Sequence, residues 1–113
     1  MSTRIGLFGG TFDPPHLGHV AALLAADATG RFDVIEVTVA GDPYQKRASG
    51  DVRPAAVRLA MAQAAFSHLA HVHVSDREIR RNGPSYTIDS VEEIMREGAS
   101  SVDLVIGADL VSH

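Results

Sequence analysis

No cysteine occurs among the 113 residues, which excludes disulfides, thiolate metal sites and cysteine nucleophiles. Tryptophan is also missing and aromatic residues make up only 5%, so a stacking surface for single-stranded nucleic acid is poorly supplied. No apolar run approaches the roughly 20 residues needed to cross a bilayer, and the opening stretch from Met1 to Gly10 has no signal-peptide core. A soluble, cytoplasmic protein with no membrane partner is expected. Positive charge is scarce as well: 10 Lys plus Arg against 14 Asp plus Glu give a formal charge of -4. No general affinity for nucleic acid is therefore expected, and any phosphate must be gripped by a few aimed groups. What remains, 45% hydrophobic and 21% charged residues, is the composition of a chain that folds. Its length suits a single domain, 1–113, rather than two.

Hydrophobic patterning reads as alternating strands and helices. Arg4 to Phe8 is a short apolar strand stopped by Gly9-Gly10. After Pro14-Pro15, Leu17, Val20, Ala21, Leu24 and Ala28 recur at helical spacing, with Gly30 placed to end the helix. Val34 to Val39 is a β-branched second strand, followed by a long polar loop from Ala40 to Gly50. Pro54 opens a second helix reaching about His68, with Val57, Ala60, Met61, Ala64 and Ala65 inward. Val72 to Val74 is a third strand, and Asn82-Gly83-Pro84 breaks the chain before a helix carrying Ile88, Val91, Ile94 and Met95. Val102 to Ile106 is a fourth strand ending at Gly107-Ala108-Asp109.

This alternation predicts an α/β fold, a Rossmann-like doubly wound parallel sheet of order 3-2-1-4 that stops after the fourth strand. Ligands of such sheets bind beyond the carboxyl ends of the strands where the winding reverses, here Gly9-Gly10 and Gly107-Ala108-Asp109. Topology thus nominates a site before any motif does.

The chemistry is concentrated between Gly9 and His19. The stretch places a glycine turn after a strand, two prolines at a helix entry and two imidazoles three residues apart, so His16 and His19 share one helix face. Exposed N–H groups and the positive end of the helix dipole favour an anion there, and glycine lets phosphate approach the backbone. The pattern is neither the Gly-x-Gly-x-x-Gly dinucleotide fingerprint nor the Walker loop.

Gly9-Gly10-Thr11-Phe12-Asp13-Pro14 followed by His16-Leu17-Gly18-His19 resembles the nucleotidylyltransferase superfamily with its His-x-Gly-His signature. Within it the chain is similar to the bacterial nicotinate-nucleotide adenylyltransferases. Pro43-Tyr44-Gln45-Lys46, Arg58-Leu59-Ala60-Met61, Gly83 to Asp89 and Gly107-Ala108-Asp109 match further motifs in family order. The resemblance implies transfer of AMP from ATP to nicotinate mononucleotide, with Mg²⁺ carried on ATP. It assigns His16, His19 and Lys46 to catalysis. Gly9, Gly10, Thr11, Phe12, His16, Gly18, His19, Gly107 and Asp109 would contact ATP, and Lys46, Ser85, Tyr86 and Thr87 the mononucleotide, the last two through backbone N–H groups on the pyridine carboxylate. No residue is assigned to a protein-held metal.

The chain departs from the family pattern at Ala40, where a polar residue is usual, and at Gln45, where histidine is frequent. It also lacks the Trp-containing segment and closing loop that follow Gly-Ala-Asp in the family. Two alternatives stay open: a weakly active or non-catalytic nucleotide-binding module, and an adenylyl- or cytidylyltransferase with another phosphate substrate. His68, His71 and His73 are expected as surface histidines rather than metal ligands. Arg77, Arg80 and Arg81 are expected as a solvated charge cluster, with a phosphate clamp as the alternative. The fourth strand should form an adhesive sheet edge, giving a homodimer or larger oligomer with the tail Leu110 to His113 near the contact.

Overall fold

The computed structural model describes residues 3–42, 52–81 and 87–105. Four parallel strands, β1 (Arg4–Gly10), β2 (Val34–Val39), β3 (Val72–Ser75) and β4 (Ser101–Leu104), form one sheet in the order β3-β2-β1-β4. Helix α1 (Leu17–Ala28) links β1 to β2, and α2 (Ala55–Phe66) stands between β2 and β3. The short α3 (Arg77–Arg80) and then α4 (Thr87–Arg96) lie between β3 and β4. Two consecutive right-handed crossovers in one direction put α1 and α2 on one face of the sheet. The reversal from β3 to β4 puts α3 and α4 on the other.

Register separates the two faces chemically. Phe8 is level with Val37 and Gly10 with Val39, so these side chains point to the same face as Ile35, Val72 and Val74. That face packs on Leu23 and Ala26 of α1 and Ala62 and Phe66 of α2 in a continuous apolar core. The opposite face of β2 carries Glu36 and Thr38, both buried. A central strand covered on both sides has no solvent face to which these polar groups can be sent.

The order 3-2-1-4 and the strand positions agree with the sequence, but the apolar stripes of the helices agree only in part. On α1, Leu17 is 84% exposed and Leu24 53%, while Leu23 and Ala26 are buried. The helix reads Leu-Gly-His-Val-Ala-Ala-Leu-Leu-Ala-Ala-Asp-Ala; it is apolar nearly all round, so period alone selects no face. On α2 the buried residues are Ala55, Arg58, Ala62 and Phe66 rather than the stripe containing Val57, which is exposed. On α4, Ile94 is buried as its stripe predicts and Ser90 is buried beside it, while Ile88 and Met95 are exposed. Strand β1 runs through the glycine pair instead of stopping at Phe8, because Gly9 and Gly10 still pair with Thr38 and Val39. Gly30, with φ +70°, follows α1 in the left-handed conformation expected of a helix end.

Candidate active site

The loop after β1 is built around a buried aromatic ring. Phe12 adopts φ +53° and folds its ring back into the core, 5.8 Å from Phe8 and 5.5 Å from Phe66 between centroids. A Cβ on Gly10 would lie 2.9 Å from that ring, so Gly10 is the residue that makes room for it. The ring also supports His19 edge-on at 4.9 Å.

His16 is the N-cap of α1, in extended conformation with φ -144° and ψ 177°. Its Nδ1 accepts a hydrogen bond from the Gly18 N–H at 3.1 Å, and its own N–H donates to Nδ1 of His19 at 3.0 Å. This is a capping box written in histidine instead of Ser and Glu. The two rings stack at 3.7 Å with 23° between planes. In a neutral imidazole an accepting Nδ1 leaves the ring proton on Nε2. The caps therefore give both histidines the same tautomer, with an N–H donor on the edge away from the helix backbone. Gly18 belongs to the same device: a Cβ there would fall 2.9 Å from Cε1 and 3.0 Å from Nδ1 of His16.

Arg58 fixes the surroundings of this turn. Its guanidinium, 0% exposed, donates to the carbonyls of Arg53 (2.7 Å), Thr11 (3.1 Å), Ala40 (2.7 Å) and Gly41 (3.3 Å), and to Asp42 Oδ1 (3.4 Å). Asp42 Oδ1 also accepts from Ala55 N–H at the start of α2. Nearby, the Arg53 backbone and guanidinium donate to Asp13 at 3.1 and 2.6 Å. Those two bonds, the backbone one foremost, hold the Asp13 carboxyl below the usual carboxylate range.

On the polar face, a cleft of about 220 Å³ opens at the carboxyl ends of β1 and β4, lined by Leu7, Gly9, Gly10, Thr38, Glu78, Thr87, Leu104 and Val105. It lies where the strand order predicts a ligand. Behind it Arg77 is embedded among acids: Nε and Nη2 grip Glu36 at 2.7 and 2.9 Å, and the guanidinium also reaches Glu93 and Glu97. Burial pulls the Arg77 pKa down, but the bonds to Glu36 and Glu97 outweigh it and raise it. The expected solvated cluster holds for Arg80, which is exposed, but not for Arg77, which is buried. Arg77 is consumed by a buried ion network, Arg80 pairs with Asp76 at 2.8 Å, and Arg81 donates to Ser90 at 3.3 Å. His71 pairs with Asp27 at 2.8 Å on the surface.

Of the residues expected at the site, Gly9, Gly10 and Thr87 line the cleft, while His16, Gly18 and His19 form the cap on the other side of the sheet end. Thr11 is exposed and its carbonyl is held by Arg58. Phe12 is 3% exposed, so its ring supports the site from below. Lys46, Ser85, Tyr86, Gly107 and Asp109 lie outside the described residues, as does the tail Leu110 to His113. Sequence reasoning gave no role to Arg58 or Glu36. Both had a signal: Arg58 shares the helical phase of Ala55, Ala62 and Phe66, and Glu36 is the lone charge inside a β-branched strand.

Comparison with known proteins agrees with this geometry. Residues 7–113 match the family model described as cytidylyltransferase-like. A probable nicotinate-nucleotide adenylyltransferase of Albidiferax ferrireducens is 49% identical over 90 residues, covering 80% of this chain and 44% of that protein. One of Chromobacterium violaceum is 39% identical over 111 residues, covering 96% and 52%. The chain therefore spans about half the length of the curated relatives it matches. Among solved structures, Plasmodium falciparum nicotinic acid mononucleotide adenylyltransferase complexed with NaAD superposes with TM-score 0.64 at 16% identity, over 88% of this chain and 49% of that one. That likeness shows a shared fold. With the strand order, the histidine-capped turn and the family match all in agreement, the chain belongs to the cytidylyltransferase-like family.

Proposed function

We propose that the chain carries the nucleotide-transfer site of a nicotinate-nucleotide adenylyltransferase, joining AMP from ATP to nicotinate mononucleotide. The observation that carries this reading is the stacked His16–His19 pair, whose Nδ1 atoms both accept backbone N–H groups. Two Nε2–H donors at a helix N-terminus are suited to phosphate oxygens on which charge grows during transfer. An oxygen of the mononucleotide phosphate attacks the α-phosphorus of ATP, the new P–O bond forms as the bond to the β-phosphate oxygen breaks, and pyrophosphate leaves. No protein nucleophile is required, so alignment and charge stabilisation are the protein's share. Thr11 would add a donor, and Gly9, Gly10 and Gly18 would allow close approach of the phosphates. The cleft at Gly9, Thr38 and Thr87 is the proposed place of the pyridine nucleotide, with backbone N–H groups of the Ser85–Thr87 stretch on its carboxylate. Lys46 is the proposed cation for the triphosphate, and Gly107 and Asp109 are the proposed ATP contacts.

Mg²⁺ enters this proposal as part of the ATP complex. Among the described residues no group of three or more His, Asp or Glu could hold a metal ion. No helix of the described residues is long and apolar enough to cross a membrane; a cytoplasmic location is part of the proposal. Self-association through β4 is proposed too. That strand is an edge of the described sheet, with Leu104 55% exposed. Replacing Leu104 by Lys should then convert a dimer into a monomer in light scattering.

The deciding experiment offers the chain ATP, Mg²⁺ and either the acid or the amide mononucleotide and follows pyrophosphate release. Preference for the acid is expected. Preference for the amide or for another phosphate ester would overturn the substrate, and ATP binding without pyrophosphate release would leave a nucleotide-binding module.

A further inference from the structure

A single buried side chain joins the backbone segments that frame the proposed phosphate site. Arg58 donates to Thr11 in the turn after β1, to Ala40 and Gly41 at the end of β2, and to Arg53 just before α2. Ala40–Gly41 and Arg53 are the two described flanks of the segment 43–51, so the guanidinium ties both ends of that segment to the histidine-bearing turn. Four backbone carbonyls converge here on one planar group. Their dipoles offset the cost of burying its charge, which a lone buried cation would not survive. Lysine carries the same charge but has three donors on a point and no fork.

We propose that Arg58 is a positioning residue: it sets the spacing between the Thr11–His19 turn and the Ala40–Arg53 flanks, and through that spacing the alignment of phosphates between them. Its role in nucleotide binding rests on the function proposed above, while its role as the tie between segments does not. Three amides report the tie directly. Ala40 N–H donates to Gly10 O at 2.9 Å, Arg53 N–H to Asp13 at 3.1 Å and Ala55 N–H to Asp42 at 2.8 Å. Ala40 lies at the end of β2 and Arg53 just before α2, both gripped by Arg58 through their carbonyls, while Ala55 opens the helix of Arg58 and is tied to Asp42, which Arg58 also reaches. If one group holds them, they open together.

The test is residue-resolved hydrogen exchange on the intact chain, with calorimetric ATP titration alongside. In the wild type, Ala40, Arg53 and Ala55 should share one opening equilibrium. In Arg58→Lys all three should exchange at least about tenfold faster while the Ile35 and Val37 amides of β2 keep their protection. ATP affinity should fall by about tenfold or more. Ile94→Ala, a destabilising change in the apolar side of α4, serves as the control and should lower the melting temperature without moving ATP affinity or the three amides selectively. Unrelated opening equilibria in the wild type would overturn the proposal even if Arg58→Lys failed to fold. So would wild-type exchange in Arg58→Lys, or an equal affinity loss in Ile94→Ala. If the wild type binds no ATP, the proposed function fails, and the three amides still decide the role of Arg58.

Discussion

Arg58 and Arg77 are both buried, at 0% and 7% exposure, yet the first is surrounded by backbone carbonyls and the second by the carboxylates of Glu36, Glu93 and Glu97. The carbonyls belong to loops, so Arg58 organises the carboxyl end of the sheet, beside the candidate site. The carboxylates belong to β2, to α4 and to the turn that follows it, so Arg77 fastens the polar layer to the sheet. A carbonyl cannot titrate, whereas a carboxylate can. Four of the five acceptors around Arg58 are carbonyls and only Asp42, at 3.4 Å, can take up a proton, so acid should loosen the polar layer more than the tie at the candidate site. Among the described residues no buried side-chain polar atom lacks a partner, so both ties are complete and each can be broken cleanly.

The largest effect should come from Arg77→Met. It strands the Glu36 carboxylate, 6% exposed, in a central strand, and removing one partner of a buried pair costs about 3–5 kcal/mol. Denaturant titration should show that loss or an unfolded chain. A loss below about 1 kcal/mol would mean that the network is ornamental. The double variant Glu36→Gln with Arg77→Met should recover part of the stability, because no buried charge is then left over.

His19→Ala probes the other end, where chemistry rather than stability is at stake. Loss of one aimed donor lowers turnover by about 10²- to 10³-fold, while its bond to the His16 N–H is worth roughly 1 kcal/mol as a cap. Turnover should therefore fall far more than stability or ATP affinity. Unchanged turnover would remove His19 from the mechanism.

A smaller and more diagnostic effect is expected from Gly18→Ala. Alanine in a helix is favoured over glycine by up to about 1 kcal/mol, but the added Cβ pushes the His16 ring off its cap. Gain and loss nearly cancel in stability, so the melting temperature should barely move while turnover drops by roughly tenfold. Wild-type turnover would show that the stacked pair tolerates displacement.

These residues also show what a sequence can disclose. Strand order was legible because β-branched runs alternate with helical spacing, and the site's location followed from the reversal of winding between β1 and β4. The helix phases were not. On α2 the stripe chosen from Val57, Ala60, Met61, Ala64 and Ala65 leaves out Arg58, Ala62 and Phe66, the residues that the fold buries. Arg58 points inward because three carbonyls from distant loops, of Thr11, Ala40 and Gly41, meet there beside that of Arg53, a circumstance that exists only after folding. Helix α1 failed for the opposite reason, since alanine and leucine on nearly every side leave nothing for the period to discriminate. The reciprocal histidine cap was half legible: the spacing of His16 and His19 was visible, but the choice of Nδ1 as acceptor in both required coordinates.

The smallest expected effect separates the two ties by pH. Burial of Glu93 raises its pKa, but the hydrogen bond and charge of Arg77, helped by Arg81, outweigh burial and leave it below its ordinary value of 4.5. A carboxyl whose folded pKa is depressed contributes stability that is present above its unfolded pKa and is lost as pH falls through the folded one. Asp13 and Asp33 are lowered in the same direction by Arg53 and Arg4, so acid weakens the wild type by several routes at once. Glu93→Gln removes only one of them. The variant should melt below the wild type near neutrality, and the gap should narrow as pH is lowered from about 6 to about 3. Over the same range the Ala40 amide, held beside Arg58, should lose less protection than the amides of α4, because carbonyl oxygens remain acceptors when carboxylates have taken up protons. A constant gap between the two proteins, or an Ala40 amide that opens first, would show that acid does not distinguish the two arginines.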